Sequence, residues 1–158
     1  MLRTIAVSII LSSSAVASDQ ATVLVVGPTG DSRSLGVAEL EQMSPRDVTV
    51  TDPHSKQTAR YRGVPLISVL ALVATPVGES LRGGALALHV RAEASDGYVA
   101  VFSLAELDAG FGTTEALLAY QRDGQPLAGP VGPFRLVVPT DKRGGRWVRG
   151  LVKVRVLD

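Results

Sequence analysis

Glycine and proline break this chain into short apolar runs, and this pattern constrains its fold more than any other feature. Sixteen Gly and nine Pro residues interrupt the 158-residue sequence, so the runs between them are long enough only for short strands or short helices. A doubly wound parallel sheet would require a regular strand–helix–strand order, and these runs do not follow one. The sequence therefore predicts an α+β domain with a mixed β-sheet and short helices.

Individual elements follow from residue type and periodicity. Apolar runs that are β-branched or alternating predict strands at residues 21–26, 47–51, 57–61, 85–91, 97–102, 134–138 and 146–157. Apolar residues at helical spacing predict helices at 35–43 and 64–73. A third helix is predicted to begin at Ser103, because Ser103 and Glu106 have the spacing of a capping box.

The N-terminus has the pattern of a secretory signal peptide. Arg3 precedes an apolar run at residues 5–11, and the sequence Ala15-Val16-Ala17 has the small-residue pattern of a cleavage site. An uncleaved membrane anchor is the alternative. However, this apolar run is too short to span a bilayer, and the rest of the sequence contains no apolar run that is long enough. We therefore expect a signal peptide at residues 1–17 and one domain at 18–158, periplasmic and not inserted in the membrane.

Charge and cysteine content exclude several classes of protein. Sixteen basic and fifteen acidic residues give a net charge of +1, which is too small to attract nucleic acid or an anionic membrane without a local patch. The chain has no Cys, so disulfides, thiol catalysis and thiolate metal ligands are all impossible.

Side chains suited to catalysis are not grouped in the sequence. The two histidines, His54 and His89, have no second ligand at a spacing typical of metal sites. No serine lies in a G-x-S-x-G motif. The sequence therefore predicts neither a catalytic residue nor a metal site.

A cationic and aromatic cluster lies near the C-terminus and has two interpretations. It contains the single Trp and several basic residues: Lys142, Arg143, Arg146, Trp147 and Arg149, with Arg135 on the preceding predicted strand. If 146–157 is one strand, alternation places Trp147 and Arg149 on the same face. Trp147 is then either a core residue beside solvated arginines, or a shelf on which a flat heterocycle stacks.

Five segments resemble the sulfite-oxidase-type molybdopterin-binding domain in their order and spacing. They are Tyr61-Arg62-Gly63-Val64-Pro65-Leu66, Ser95-Asp96-Gly97-Tyr98, Leu117-Leu118-Ala119-Tyr120 with its following Asp123-Gly124-Gln125, Gly132-Pro133-Phe134-Arg135-Leu136-Val137-Val138-Pro139, and Val148-Arg149-Gly150-Leu151-Val152-Lys153-Val154. Together they span most of the chain after the signal segment. The resemblance implies a single domain of that fold.

This chain differs from the family at one position that the resemblance makes important, the cysteine that holds the metal. Family members bind a pterin dithiolene whose molybdenum is held by a cysteine, and that cysteine would lie within residues 51–60 here, where none occurs. Asp52 is an oxygen ligand in this region, but it lacks the softness of a thiolate. The chain is thus similar to small exported pterin-binding proteins with a degenerate cofactor domain, some of which act through a membrane-bound cyclic-di-GMP enzyme.

Site residues are carried over position by position. Arg135 matches an arginine of the family pattern, Arg149 matches a cofactor-facing lysine, and Asp96, Tyr98 and Asp141 lie on loops at the family's cofactor mouth. With stacking assigned to Trp147 and a polar contact to Arg146, the predicted ligand-binding residues are Trp147, Arg149, Arg146, Arg135, Asp141, Asp96 and Tyr98.

These observations lead to one leading interpretation and two alternatives. The leading one is an exported, non-catalytic pterin receptor that relays the pterin signal to a membrane-bound signalling protein, with no redox cofactor. The first alternative is a molybdopterin-dependent oxidoreductase subunit that holds its metal through the dithiolene alone. The second is a protein-interaction module without a ligand.

Overall fold

Ten strands supply most of the regular structure in the computed structural model, which describes residues 21–158. The predicted signal peptide, residues 1–17, lies outside the described residues. In chain order the strands are β1 (Val23–Val26), β2 (Ser32–Leu35), β3 (Arg46–Thr51), β4 (Thr58–Pro65), β5 (His89–Ala94), β6 (Val99–Ser103), β7 (Leu117–Arg122), β8 (Gln125–Pro126), β9 (Arg135–Val137) and β10 (Leu151–Leu157). The helices are α1 (Val37–Glu41), α2 (Leu66–Leu70) and α3 (Leu104–Leu107).

The strands form two sheets of five strands. The first has the order β2-β1-β10-β5-β6, with β1 and β10 parallel and the other neighbours antiparallel. The second has the order β3-β4-β7-β8, with β9 also paired to β7, and all of its pairs are antiparallel. The predicted α+β class and single domain are confirmed, while the predicted mixed sheet corresponds to the first sheet alone.

The core is built from apolar side chains of both sheets and the short helices. Its largest fully buried residues include Tyr61, Tyr120, Phe102 and Phe134. Each fully buried large apolar side chain stabilises the fold by about 1.5–3 kcal/mol relative to an exposed one. Because the chain cannot form disulfides, this burial is the main stabilising contribution.

Three predicted elements differ from the structure. The predicted helix at 64–73 begins only at Leu66, because Val64 and Pro65 continue β4 and pair with β7. The predicted strand at 85–91 begins as a 3₁₀ turn at Gly83–Ala87, and β5 starts at His89. The predicted strand at 146–157 starts only at Leu151, since Gly144–Arg146 forms another 3₁₀ turn.

Two of the short helices begin with a carboxylate bond to the backbone. Ser103 N–H donates to Glu106 Oε1 at 2.9 Å, so the Glu106 half of the predicted capping box is present. Gly36 N–H donates to Glu39 Oε2 at 2.8 Å at the start of α1. Such bonds satisfy an amide that has no partner within the helix.

Among residues 21–158, no helix is long and apolar enough to cross a bilayer.

Three connections meet at one end of the domain and form the region of interest. They are the β3–β4 turn, the β5–β6 turn and the segment between β9 and β10. The last is held against β9, since Leu136 N–H donates to Val148 O at 2.8 Å and Arg135 bridges to Arg149. The two sheets thus place three turns around a common space.

Candidate functional site

A small cavity of about 150 Å³ lies where these three connections meet. Its walls come from one residue of the β3–β4 turn, two of the β5–β6 turn and four of the β9–β10 segment: His54, Asp96, Tyr98, Gly144, Gly145, Trp147 and Arg149. Four of the seven predicted ligand-binding residues therefore line one cavity, although they are up to 53 positions apart in the sequence (149 − 96 = 53).

The β5–β6 turn presents Tyr98 to the cavity. Gly97 has φ +87°, a conformation that favours glycine, and Asp96 Oδ1 accepts the N–H of Tyr98 at 3.0 Å. The Tyr98 side chain is 50% exposed, and its hydroxyl donates to Gly145 O. Tyr98 therefore presents an accessible aromatic ring whose backbone N–H and hydroxyl are both held by hydrogen bonds.

His54 closes the cavity from the β3–β4 turn. Its Nε2 lies 3.1 Å from Gly144 O, and since a carbonyl oxygen only accepts, Nε2 carries the proton in this contact. A Cβ added at Gly144 would lie 2.4 Å from His54 Nε2. Gly144 is therefore required for the imidazole to approach the backbone this closely.

Trp147 is both a core residue and part of the cavity wall. It is 3% exposed, its Nε1–H donates to Val138 O at 2.8 Å, and its ring meets the Tyr61 ring edge-on at 6.0 Å. The predicted strand alternation was wrong here, because Trp147 follows a 3₁₀ turn and precedes β10. Stacking on Trp147 stays a prediction, limited to the part of the ring that reaches the cavity.

Arg135, one of the predicted ligand-binding residues, does not line the cavity. It is 3% exposed, and its guanidinium lies between the rings of Tyr61 (5.5 Å) and Trp147 (5.3 Å). Its NH2 lies 2.9 Å from Asp52 Oδ2 in an ion pair, and its NH1 donates to Tyr61 Oη at 3.0 Å. Arg135 is thus the cation of a buried ion pair behind the cavity wall.

Asp52 is the anion of this pair, and both of its carboxylate oxygens are engaged. Oδ1 accepts the backbone N–H groups of His54 (2.8 Å) and Ser55 (3.2 Å). Oδ2 accepts from the Tyr61 hydroxyl (3.1 Å) and forms the ion pair with Arg135. Burial raises the pKa of Asp52, but the backbone bonds, the Arg135 charge and the Tyr61 hydroxyl outweigh it and lower the pKa to about 2.

This lowered pKa predicts a specific loss of stability in acid. The unfolded chain binds a proton at Asp52 near its ordinary pKa of 3.8, whereas the folded chain resists protonation until about pH 2. Asp52 thus stabilises the fold above about pH 4, by roughly 2 kcal/mol, and this contribution is lost as pH falls towards 2. The free energy of unfolding, measured with urea across this pH range, should depend less on pH in Asp52→Asn than in the parent. The same pH dependence in both proteins would contradict the prediction.

Arg146 and Asp141, two further predicted ligand-binding residues, also lie outside the cavity wall. Arg146 forms a two-bond pair with Asp141, with Nε to Oδ2 at 2.9 Å and NH2 to Oδ1 at 2.7 Å. Its NH1 donates to Glu106 at 3.0 Å, and its guanidinium lies 4.4 Å from the Phe102 ring centroid. Hydrogen bonds to Asp141 raise the pKa of Arg146, against the opposing effect of burial. These contacts fix the loop that carries Gly144 and Gly145.

Arg149 is the available cation at the cavity. It is exposed, and among residues 21–158 it has no carboxylate within salt-bridge distance and no side-chain hydrogen bond. On the other side, Asp96 Oδ2 accepts no hydrogen bond from the described residues. The cavity therefore combines an exposed guanidinium, a carboxylate oxygen and an accessible aromatic ring.

The family cofactor implied by the sequence can be compared with these residues. The chain has no thiolate, and Asp52, the oxygen ligand within the expected segment, already accepts three hydrogen bonds and pairs with Arg135. The residues from 21 to 158 contain no group of three His, Cys, Asp or Glu side chains able to hold a metal. The metal end of the site thus does not fit, whereas the cavity wall has groups that suit a polar heterocycle.

His54, Gly144 and Gly145 were not predicted as site residues. Two adjacent glycines before Arg146-Trp147 are the available sequence signal, because paired glycines permit close approach of another group to the backbone. His54 gave no such signal, since its partner is 90 positions away. A larger groove of about 510 Å³ beside α2 contains none of the seven predicted residues.

Comparisons with known proteins agree with this fold. The family model for the oxidoreductase molybdopterin binding domain matches residues 13–158. The sulfane dehydrogenase SoxCD from Paracoccus pantotrophus has a similar structure, with a TM-score of 0.64 and 18% identity, which covers 87% of this chain and 38% of that one. At this identity the likeness concerns the fold alone. No curated protein matches the chain. The match over nearly the whole sequence shows that the chain belongs to the oxidoreductase molybdopterin-binding domain family.

Proposed function

We propose that this protein is an exported, non-catalytic receptor for a pterin, and that the pterin binds in the small cavity without molybdenum. One observation supports this most strongly. The cavity keeps available polar groups and an aromatic ring, while the buried Asp52–Arg135 pair (2.9 Å) fills the region where the metal ligand of the family is expected. The heterocycle end of the site is thus open to a ligand and the metal end is not.

The cavity suits a pterin in chemistry and in size. A pterin has amino and ring N–H donors that match the carboxylate of Asp96, and a carbonyl oxygen that matches the guanidinium of Arg149. Tyr98 supplies a face for stacking, which is worth about 1–3 kcal/mol per flat base by analogy with nucleic-acid binding. The volume of about 150 Å³ is below the roughly 300 Å³ of pockets that enclose drug-sized ligands. A ring system fits better than a complete pterin cofactor.

The proposed receptor is exported and passes its signal to a membrane protein. The signal-like sequence at residues 1–17 supports a periplasmic location. A receptor there requires a partner that carries its state across the membrane, and we propose the periplasmic region of a membrane-bound cyclic-di-GMP enzyme. By linkage, a pterin that changes partner affinity must have its own affinity changed by the same factor. Pull-down of that periplasmic region with and without pterin tests this, and equal recovery in both conditions would contradict it.

A molybdopterin-dependent oxidoreductase subunit is the second candidate, because the family match favours it. The two candidates differ in metal content. For protein purified from its own host under anaerobic conditions, our proposal predicts no stoichiometric molybdenum or tungsten by elemental analysis. One metal atom per chain would establish the oxidoreductase candidate instead.

A further inference from the structure

Two side chains of opposite charge line the small cavity without pairing with each other. Asp96 lies on the β5–β6 turn and Arg149 lies on the segment between β9 and β10, and both are exposed. Among residues 21–158, neither side chain forms an ion pair with the other or with a third residue. A carboxylate and a guanidinium that stay unpaired in one cavity are available to a ligand that contacts both.

The carboxylate of Asp96 is oriented by its own turn. Its Oδ1 accepts the backbone N–H of Tyr98 at 3.0 Å, whereas its Oδ2 accepts no hydrogen bond from the described residues. Each carboxylate oxygen has two lone pairs, so both oxygens can still accept an N–H group. Asp96 is also the one carboxylate in the described wall of the cavity. A ligand with two adjacent N–H donors would therefore match this side chain.

The edge of a ligand that fits both charges has an acceptor followed by two donors. Two neighbouring N–H groups can donate to the two oxygens of one carboxylate, as the fork of a guanidinium does. A keto oxygen beside them can accept from the guanidinium of Arg149. Pterin has this edge, with a keto oxygen, a ring N–H and an amino group in a row. Guanine has the same three groups in the same order, whereas lumazine and flavin have a second keto oxygen in place of the amino group.

We propose that Asp96 is the specificity-determining residue of the small cavity, and that it selects the keto and amino edge that pterin and guanine share. This inference rests on the proposed pterin site and extends it to a second class of ligand, the guanine base. Lumazine and flavin are rejected, because their second keto oxygen would face the negative carboxylate without a proton to donate. Selection thus combines an attractive contact for one edge with a repulsive contact for the other.

Calorimetric titration of the metal-free protein with pterin, guanine and lumazine tests this selection. Lumazine differs from pterin only in the keto oxygen that replaces the amino group. Under conditions in which all three ligands are neutral, lumazine should bind about 10-fold to 100-fold more weakly than pterin, the range for a lost hydrogen bond to a charged group. Guanine should bind within about tenfold of pterin, since it keeps all three groups. Equal affinities for pterin and lumazine would overturn the inference.

Asp96→Asn tests the residue itself. The amide keeps an oxygen that can accept the N–H of Tyr98, and it replaces the other carboxylate oxygen with an NH₂ donor. This donor suits the second keto oxygen of lumazine and opposes the amino group of pterin. We expect the affinity for pterin to fall by about tenfold or more and that for lumazine to rise, so that the order of the two ligands reverses. Loss of affinity by the same factor for both ligands would overturn the assignment to Asp96.

Asp123→Asn is the matched control. Asp123 is also an exposed carboxylate in a turn, and its Oδ1 accepts the backbone N–H of Arg60 at 2.9 Å, but it does not line the cavity. This variant should keep the ligand preference of the parent, and a reversed preference would contradict the role of Asp96.

The same titrations separate this inference from the proposed function. Binding of pterin without discrimination against lumazine would overturn the inference alone. Binding of guanine without binding of pterin would contradict the pterin receptor and support the recognised edge. No binding of either ligand would overturn both.

Discussion

Asp52→Ala is expected to lower the free energy of unfolding by about 3–5 kcal/mol, because removal of one partner from a buried ion pair leaves the other charge unpaired. Both side chains of this pair are 3% exposed, so Arg135 cannot regain its solvation without local unfolding. The change also removes the acceptor for the backbone N–H groups of His54 and Ser55. Urea denaturation monitored by circular dichroism measures the effect.

Two controls separate the buried pair from carboxylate loss in general. Asp47 forms ion pairs with Arg60 and Arg62 at the surface, and Asp47→Ala should cost only about 0–1 kcal/mol. The double variant Asp52→Ala with Arg135→Met should recover a large part of the loss, since no buried charge remains. Equal effects of Asp52→Ala and Asp47→Ala would contradict this account of the core.

Tyr98→Ala is expected to weaken pterin binding by roughly 10-fold to 100-fold, the equivalent of the 1–3 kcal/mol that one stacked ring contributes. The ring is half-exposed at the cavity, so its removal takes away contact area for the ligand with little effect on the core. Isothermal titration calorimetry with a tetrahydropterin measures the change, and unfolding in urea confirms that the variant remains folded.

The controls for Tyr98 distinguish the ring from its hydroxyl. Tyr98→Phe keeps the ring and removes only the bond to Gly145 O, so its affinity should stay much closer to that of the parent than to that of Tyr98→Ala. Phe111→Ala removes another exposed aromatic ring (55%), one that does not line the cavity, and should bind normally. Unchanged affinity in Tyr98→Ala would exclude the stacking role of this residue.

The fold class followed from the sequence because it depends on local patterns. Alternation and turn residues indicated most strands, and Ser103 with Glu106 indicated α3. The predicted helix and strand boundaries failed where tertiary pairing decided the outcome. Val64 and Pro65 have helical spacing with the residues that follow, yet pairing with Leu118 and Leu117 keeps them in β4.

The site was only partly predictable, because sequence position does not tell whether a charged residue finds a partner. Arg135 and Arg149 looked alike in the sequence, but Asp52 pairs with Arg135 across 83 positions (135 − 52 = 83), and no carboxylate within residues 21–158 pairs with Arg149. Arg146 likewise forms ion pairs with Asp141 and Glu106. The resemblance located the cavity through Asp96, Tyr98 and Arg149, whereas long-range pairing decided which cations face it.

Titration of metal-free protein with a tetrahydropterin and with its oxidised form tests the central claim most directly. Calorimetry gives the stoichiometry and dissociation constant, and the emission of Trp147, the single Trp in the chain, reports whether the ligand enters the small cavity. Our account predicts saturable binding of one ligand per chain with a dissociation constant of about micromolar or below, accompanied by a change in Trp147 emission. No heat and no change in emission with either form would contradict the account and would favour a protein-interaction module without a pterin ligand.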